Sequence, residues 1–365
     1  MSHAARALSL TGVALAALAL ATVPELEAQA STNPYRADFG WLQLEGRQIG
    51  TVSGVQMDAD GRHLWILDRC GGNGCVGTGL DPILQVDMEG RLVRSLGKDM
   101  FAFPHGFFID HQGNIWVTEG APDGDRRGEA GFELGMGHQV FKLDRDGRVL
   151  MTLGEAAVSG ADESHFNGPT GVIVQDDGEI WVSDGHGGPQ RGPNADNMFG
   201  SRGGNNRLVR FSADGEFIQA WGGGVGSESY EPMRFNDPHS IARDAAGNIY
   251  VADRGNLRVQ VISKDGEFIT QWTQFGKPSA IAIDERTNNI YVADGMSNEH
   301  WNPGWERGIR VGDLDTGWIK AFVPDYEVIT GAGTEFVGVD NEGNMYSGAS
   351  GRPGLVVHRL LRPLF

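Results

Sequence analysis

"DHQGNIWVTEG", residues 110–120, decides the fold. Its second half alternates apolar and polar residues with the period of two that marks a strand. The "DHQG" before it is hairpin-turn chemistry, because glycine takes positive φ without steric cost. The phrase returns as "DADGRHLWILDR" from Asp58, "QDDGEIWVSDG" from Gln175, "DAAGNIYVADR" from Asp244, "DERTNNIYVADG" from Asp284 and "DNEGNMYSGAS" from Asp340. A short strand precedes each copy and ends at the Asp or Gln. A second hairpin follows, as in "QVFKLDRDGRVLMTLG" (139–154) and "RLVRFSADGEFIQAWG" (207–222). Six units of four antiparallel strands predict an all-β fold, a six-bladed β-propeller in which each blade is covered by its neighbours.

The composition agrees. The chain has 365 residues and 55 glycines, about twice the usual share of roughly 7%, which suits a fold with many turns. A formal charge of −18 argues against a nucleic-acid partner and against an anionic membrane surface. At the N-terminus, Arg6, the apolar run "ALSLTGVALAALALATV" (7–23) and "AQA" (28–30) have the form of a cleavable signal peptide. The run is shorter than the ~20 residues of a spanning helix. The expectation is cleavage after Ala30, a secreted or periplasmic protein, and one propeller domain over 31–365 with 31–39 flexible. The only cysteines, Cys70 and Cys75 in "CGGNGC", suit a small disulfide in an oxidising compartment. Three loop-like insertions, 121–137, 187–206 and 296–308, follow second strands and so share one face. The segment "WLQLEG" (41–46) is the candidate strand for closing the ring.

Aligning the units on the residue five before the strand-ending Asp or Gln gives Ser53, His105, Thr170, His239, Ser279 and Glu335. First strands line the channel of a propeller, so these six are expected to form one ring. His105, His239 and Glu335 come from alternate blades, about 120° apart. Two imidazoles and a carboxylate with an open position make a catalytic-type zinc (Zn2+) set. Arg69, Arg254 and His186 leave second strands on the insertion face. The guanidinium groups suit a substrate carboxylate, with pairing to Asp68 or Asp253 as the structural alternative. His186 suits proton transfer at neutral pH.

The runs "VSGVQMD" (52–58), "DRCGG" (68–72), "PHGFFIDHQGNIWVTEG" (104–120), "HFNGPTGVIV" (165–174), "DPHSIA" (237–242) and "VADRGNLRVQ" (251–260) resemble the peptidyl-α-hydroxyglycine α-amidating lyases. These are six-bladed propellers of NHL-type repeats. The resemblance covers roughly residues 50–275. It implies zinc held by three histidines on alternate blades, two of them matched by His105 and His239, and two arginines matched by Arg69 and Arg254. It also implies a structural calcium (Ca2+) held partly by carbonyls at Val55 and Phe107. Three positions depart from the family: Glu335 replaces the third histidine, Phe336 an aspartate calcium ligand, and His186 the catalytic tyrosine. The resemblance thus implies a metal-dependent lyase for a small-molecule or peptide substrate carrying a carboxylate. The alternatives are a non-catalytic NHL-repeat binding module, which needs no tightly held metal, and a sugar-lactonase-like hydrolase, whose calcium site uses carboxylates and Asn.

Overall fold

The computed structural model describes residues 33–120, 135–186, 204–223, 230–325, 333–349 and 354–364. The expected signal segment and most of the insertions 121–137 and 187–206 lie outside the described residues. Within them the chain forms 24 strands, numbered β1 to β24 in chain order, and one 3-10 turn, Arg254–Asn256. No described helix is long and apolar enough to cross a membrane.

The strands make six four-stranded antiparallel sheets. Five use consecutive strands, and the sixth is β22 (Thr334–Val339), β23 (Met345–Ala349), β24 (Val356–Leu360) and then β1 (Tyr35–Asp38). Tyr35 pairs with Leu360 and Asp38 with Val357, so the N-terminal strand closes a six-bladed propeller. That corrects two expectations. The closing strand lies within 31–39, the stretch expected to be flexible, and ahead of 41–46. Trp41 instead buries its ring against the first blade, where its indole donates to Met88 O at 3.0 Å. "YRAD" reads poorly as a strand because only Tyr35 among its side chains is buried.

The core lies between blades. Trp65, Leu67 and Ile83 of the first blade pack with Ile109, Ile115 and Val117 of the second. The repeat explains the pairing of its own residues. The strand-ending acid accepts a hydrogen bond from the aromatic residue of the next strand: Asp58 from Trp65, Asp110 from Trp116, Asp244 from Tyr250 and Asp340 from Tyr346. Where Gln175 replaces the acid, the buried Trp181 indole nitrogen has no partner.

A second acid closes the second strand of each of the first five blades, at Asp68, Glu119, Asp184, Asp253 and Asp294. Arg47, Arg207, Arg258 and Arg310 neutralise the four aspartates. Asp253 and Arg258, 2.7 Å apart, are both fully buried. Asp253→Ala would leave a guanidinium group without its counter-charge, and is expected to destabilise the fold by about 3–5 kcal/mol in urea unfolding.

Glu119 is the exception. It faces Gln139 across the ladder, and the amides of Ala102 and Phe103 donate to it. Burial pushes its carboxyl up to about 8. The folded state therefore holds this proton more tightly than the unfolded chain, and its contribution is lost as pH rises from about 4.5 through about 8. Glu119→Gln is expected to gain stability relative to the wild type across that window. A difference that stays flat with pH would contradict this.

Candidate metal centre

The six register residues all line one central cavity of about 420 Å³. The backbone explains why they point there. The ladder register shifts across Ser53, His105, Thr170, His239 and Glu335. A bulge of this kind leaves a residue unpaired and re-aims its side chain. For His105, the ladder pairs Pro104 with Glu119 and next Phe107 with Val117, skipping two residues. Gly106 permits the close neighbour this requires, since a Cβ there would lie 2.7 Å from Thr170 O.

Three imidazoles meet at this level. One nitrogen each from His105, His186 and His239 lies within 4.8 Å of the others. Ring centroids are 4.7 Å apart for His105–His239, 5.0 Å for His105–His186 and 5.3 Å for His186–His239. His186 belongs to the third blade and follows Gly185, where a Cβ would lie 2.3 Å from Pro238 Cδ. That close approach brings the third and fourth blades together below His186.

The tautomers follow from the partners. His105 Nδ1 donates to Thr170 O at 2.8 Å, and His239 Nδ1 donates to Ser279 O at 2.7 Å. Each bond places the proton on Nδ1 and leaves the Nε2 lone pair free. His186 Nδ1 faces Asp237 Oδ1 at 3.5 Å, the carboxylate–histidine arrangement that orients metal-ligating imidazoles. His239 Nε2 is buried without a hydrogen bond: with the proton on Nδ1 it can only accept, and so can the Glu335 Oε1 that approaches to 3.2 Å. Burial, the neighbouring imidazoles and Arg69 hold His105 well below the usual histidine range. Burial and then Arg254 lower His239. Neutral imidazoles are the metal-binding form, so the donor set fits a zinc ion.

Glu335 reaches the cavity as the register predicts, 3.2 Å from His239 Nε2, but His186 rather than Glu335 completes the cluster of three imidazoles. His186, which the sequence assigns to proton transfer, is the third member of the imidazole cluster. Glu335, which the sequence assigns as the third ligand, is engaged by Arg254 Nη1 at 3.2 Å. Burial would raise its carboxyl, but the Arg254 guanidinium beside it outweighs that and holds it below the usual range.

The two arginines also differ. Arg69 lines the cavity, donates to Pro104 O and to Asn73 Oδ1, and lies 3.7 Å above the Phe103 ring. Asp68 is taken by Arg47 and Gly50 N. Arg254 is fully buried and bridges two carboxylates, Asp237 Oδ2 at 2.7 Å and Glu335 Oε1 at 3.2 Å. Its partner is therefore Asp237 rather than Asp253, which takes Arg258. The Lys277 ammonium, pushed down to about 8 by burial and then by Arg254, donates to Arg254 O.

Asp237, Asn73 and Lys277 escape a reading based on ring register. Asp237 stands before the proline that opens an inner strand, in "NDPHS", and Lys277 before Pro278, two residues ahead of the inner strand Ala280–Asp284, in "GKPSA", which is the one signal they give. Cys70 and Cys75 are joined in a disulfide that brackets Asn73. Asn73→Ala removes a partner of Arg69 and is expected to lower stability by about 0.5–1.5 kcal/mol in urea unfolding; unchanged stability would show that the contact holds the guanidinium without supporting the fold.

An NHL-repeat model matches residues 235–262, the fourth blade with His239 and Arg254. The rat peptidylglycine alpha-amidating monooxygenase is 32% identical over 270 residues, covering 67% of this chain. The match spans only 24% of that protein, about a quarter of its length. A Caenorhabditis elegans protein named "probable peptidyl-alpha-hydroxyglycine alpha-amidating lyase" is 29% identical over 69% of each chain. Human NHL repeat-containing protein 3 is 29% identical over 74% of this chain and 64% of its own. Among solved structures, a Xanthomonas campestris gluconolactonase superposes with a TM-score of 0.57 at 18% identity, over 89% of this chain and 90% of its own. A Staphylococcus aureus virginiamycin B lyase gives 0.52 at 13% identity, over 89% and 99%. At those identities the superpositions speak for the propeller alone. The sequence relatives make this chain an NHL-repeat propeller of lyase-like kind.

Proposed function

We propose that this propeller is an exported, metal-dependent carbon–nitrogen lyase. It would cleave an α-hydroxyglycine-type hemiaminal, R–CO–NH–CH(OH)–COO⁻, to an amide and glyoxylate. The observation that carries this is the convergence of three imidazoles whose proton-bearing faces are turned away from one another. The relatives' names support the same chemistry, as does the family resemblance that matches Arg69 and Arg254 to two arginines.

His105, His186 and His239 would hold zinc, which when bound supplies a Lewis acid that lowers the pKa of an oxygen ligand. Arg69, on the cavity wall, binds the substrate carboxylate. Its guanidinium plane is already fixed by Pro104 O, Asn73 and the Phe103 ring, so little order is lost on binding. Arg254 works behind the site. It fixes Asp237, which orients His186, and it fixes Glu335 against His239. In the reaction the hydroxyl loses its proton and its C–O bond becomes the aldehyde carbonyl of glyoxylate. The C–N bond breaks with its electron pair going to nitrogen, which takes up a proton. A proton moves from oxygen to nitrogen, and no oxidant or reductant is consumed.

The test is glyoxylate release from an N-acyl-α-hydroxyglycine by the zinc-loaded protein. Activity is expected to disappear on chelation and return with zinc. Undiminished activity in chelator-treated, metal-free protein would overturn the reading. A protein that retains no metal and releases no glyoxylate would instead be a binding module.

A further inference from the structure

One residue reaches all three imidazoles. The ladder skips Thr170, pairing Pro169 with Asp184 and next Gly171 with Ser183. Its carbonyl is therefore open to a side chain, and His105 Nδ1 donates to it at 2.8 Å. Its hydroxyl is buried and lies 2.6 Å from Pro238 O. That oxygen can only accept, so the single hydroxyl proton goes to it. Ser183 Oγ, fully buried and 2.8 Å away, donates in turn to the Thr170 hydroxyl and fixes its direction.

Pro238 passes the restraint on. Its carbonyl belongs to the peptide group that carries His239. Its ring lies against Gly185, the residue before His186. On its other side stands Asp237, whose Oδ1 faces His186 Nδ1 at 3.5 Å. Thr170 thus holds His105 through its own carbonyl, and His239 and His186 through Pro238.

The repeat carries its own comparison. Blade one treats His105 in the same way, since Ser53 Oγ donates to Pro104 O at 3.1 Å. Blade five has the corresponding hydroxyl at Ser279. The sixth blade, however, has Thr334 where the proline stands and Glu335 where the imidazole stands, and Ser279 Oγ makes no hydrogen bond among the described residues. The hydroxyl-to-proline bond therefore stands ahead of both histidines and is missing ahead of the carboxylate. A bond needed only to close the propeller would recur in all three places.

We infer that Thr170 is a positioning residue of the metal centre, whose hydroxyl, through Pro238, sets the two imidazoles of the third and fourth blades against the one its carbonyl holds. The inference rests on the zinc-holding part of the lyase reading. Partners that orient metal ligands in this way typically contribute tenfold or more to metal affinity.

The test is zinc affinity by competition with a chromophoric chelator, with thermal melting beside it. Thr170→Val keeps the carbonyl and the shape and removes the hydroxyl. It is expected to weaken zinc about tenfold. Thr170→Ser, which keeps the hydroxyl, is expected to stay within about threefold of the wild type. Tyr346→Phe removes a buried hydroxyl bond to Asp340 in the sixth blade, and is expected to lower the melting temperature as Thr170→Val does while leaving zinc affinity unchanged. Wild-type affinity in Thr170→Val overturns the inference. So does an equal loss in Thr170→Ser or in Tyr346→Phe, because the hydroxyl bond to Pro238 would then not be its cause. A wild-type protein that binds no zinc overturns the metal centre and the inference together. The expected zinc results without glyoxylate release leave Thr170 in its role and overturn the lyase reading alone.

Discussion

Replacing His105 and His239 together by alanine is expected to take zinc from about one ion per chain to none, and to cut glyoxylate release by about 10³-fold or more. Both imidazoles are buried, with Nδ1 tied to a carbonyl of the next blade. Each therefore contributes a pre-oriented Nε2 that no other described residue can replace at that height on the axis. The effect should be large on kcat, because the metal's contribution arises in the transition state. Loss of the two side chains also removes two interblade hydrogen bonds, so thermal melting should accompany the metal assay. A folded variant that keeps its zinc would contradict the account.

The second large effect separates His186 from Glu335. His186→Ala is expected to weaken zinc by about 100-fold, since it removes one of the three proposed protein ligands. Asp237→Asn should cost about 10-fold to 100-fold by loosening the His186 ring. Glu335→Gln should keep one zinc per chain, because its carboxylate faces Arg254 and the amide still fits there. Equilibrium dialysis with a competing chelator reads all three. If Glu335→Gln loses the metal and His186→Ala keeps it, the ligand set is His105, His239 and Glu335.

Much of this was legible in the sequence. The "DxxG" turns and the alternating strands after them are local features, so counting them predicted six blades. Their common register predicted that His105, His239, Ser279 and Glu335 share one level. The rest depends on contacts between distant segments. His186 joins the cluster because Gly185 lets Pro238 approach, and nothing near residue 186 announces that. Glu335 reaches the axis, but Arg254, a residue 81 positions earlier, engages its Oε1. The closing strand was missed for the opposite reason: "YRAD" has one buried side chain and gains its order only from β24.

The most direct measurement is zinc K-edge X-ray absorption on protein reconstituted with one zinc per chain. The account predicts three imidazole nitrogens at about 2.0–2.1 Å with one oxygen position completing the shell. A shell of oxygen donors with one imidazole or none would contradict it.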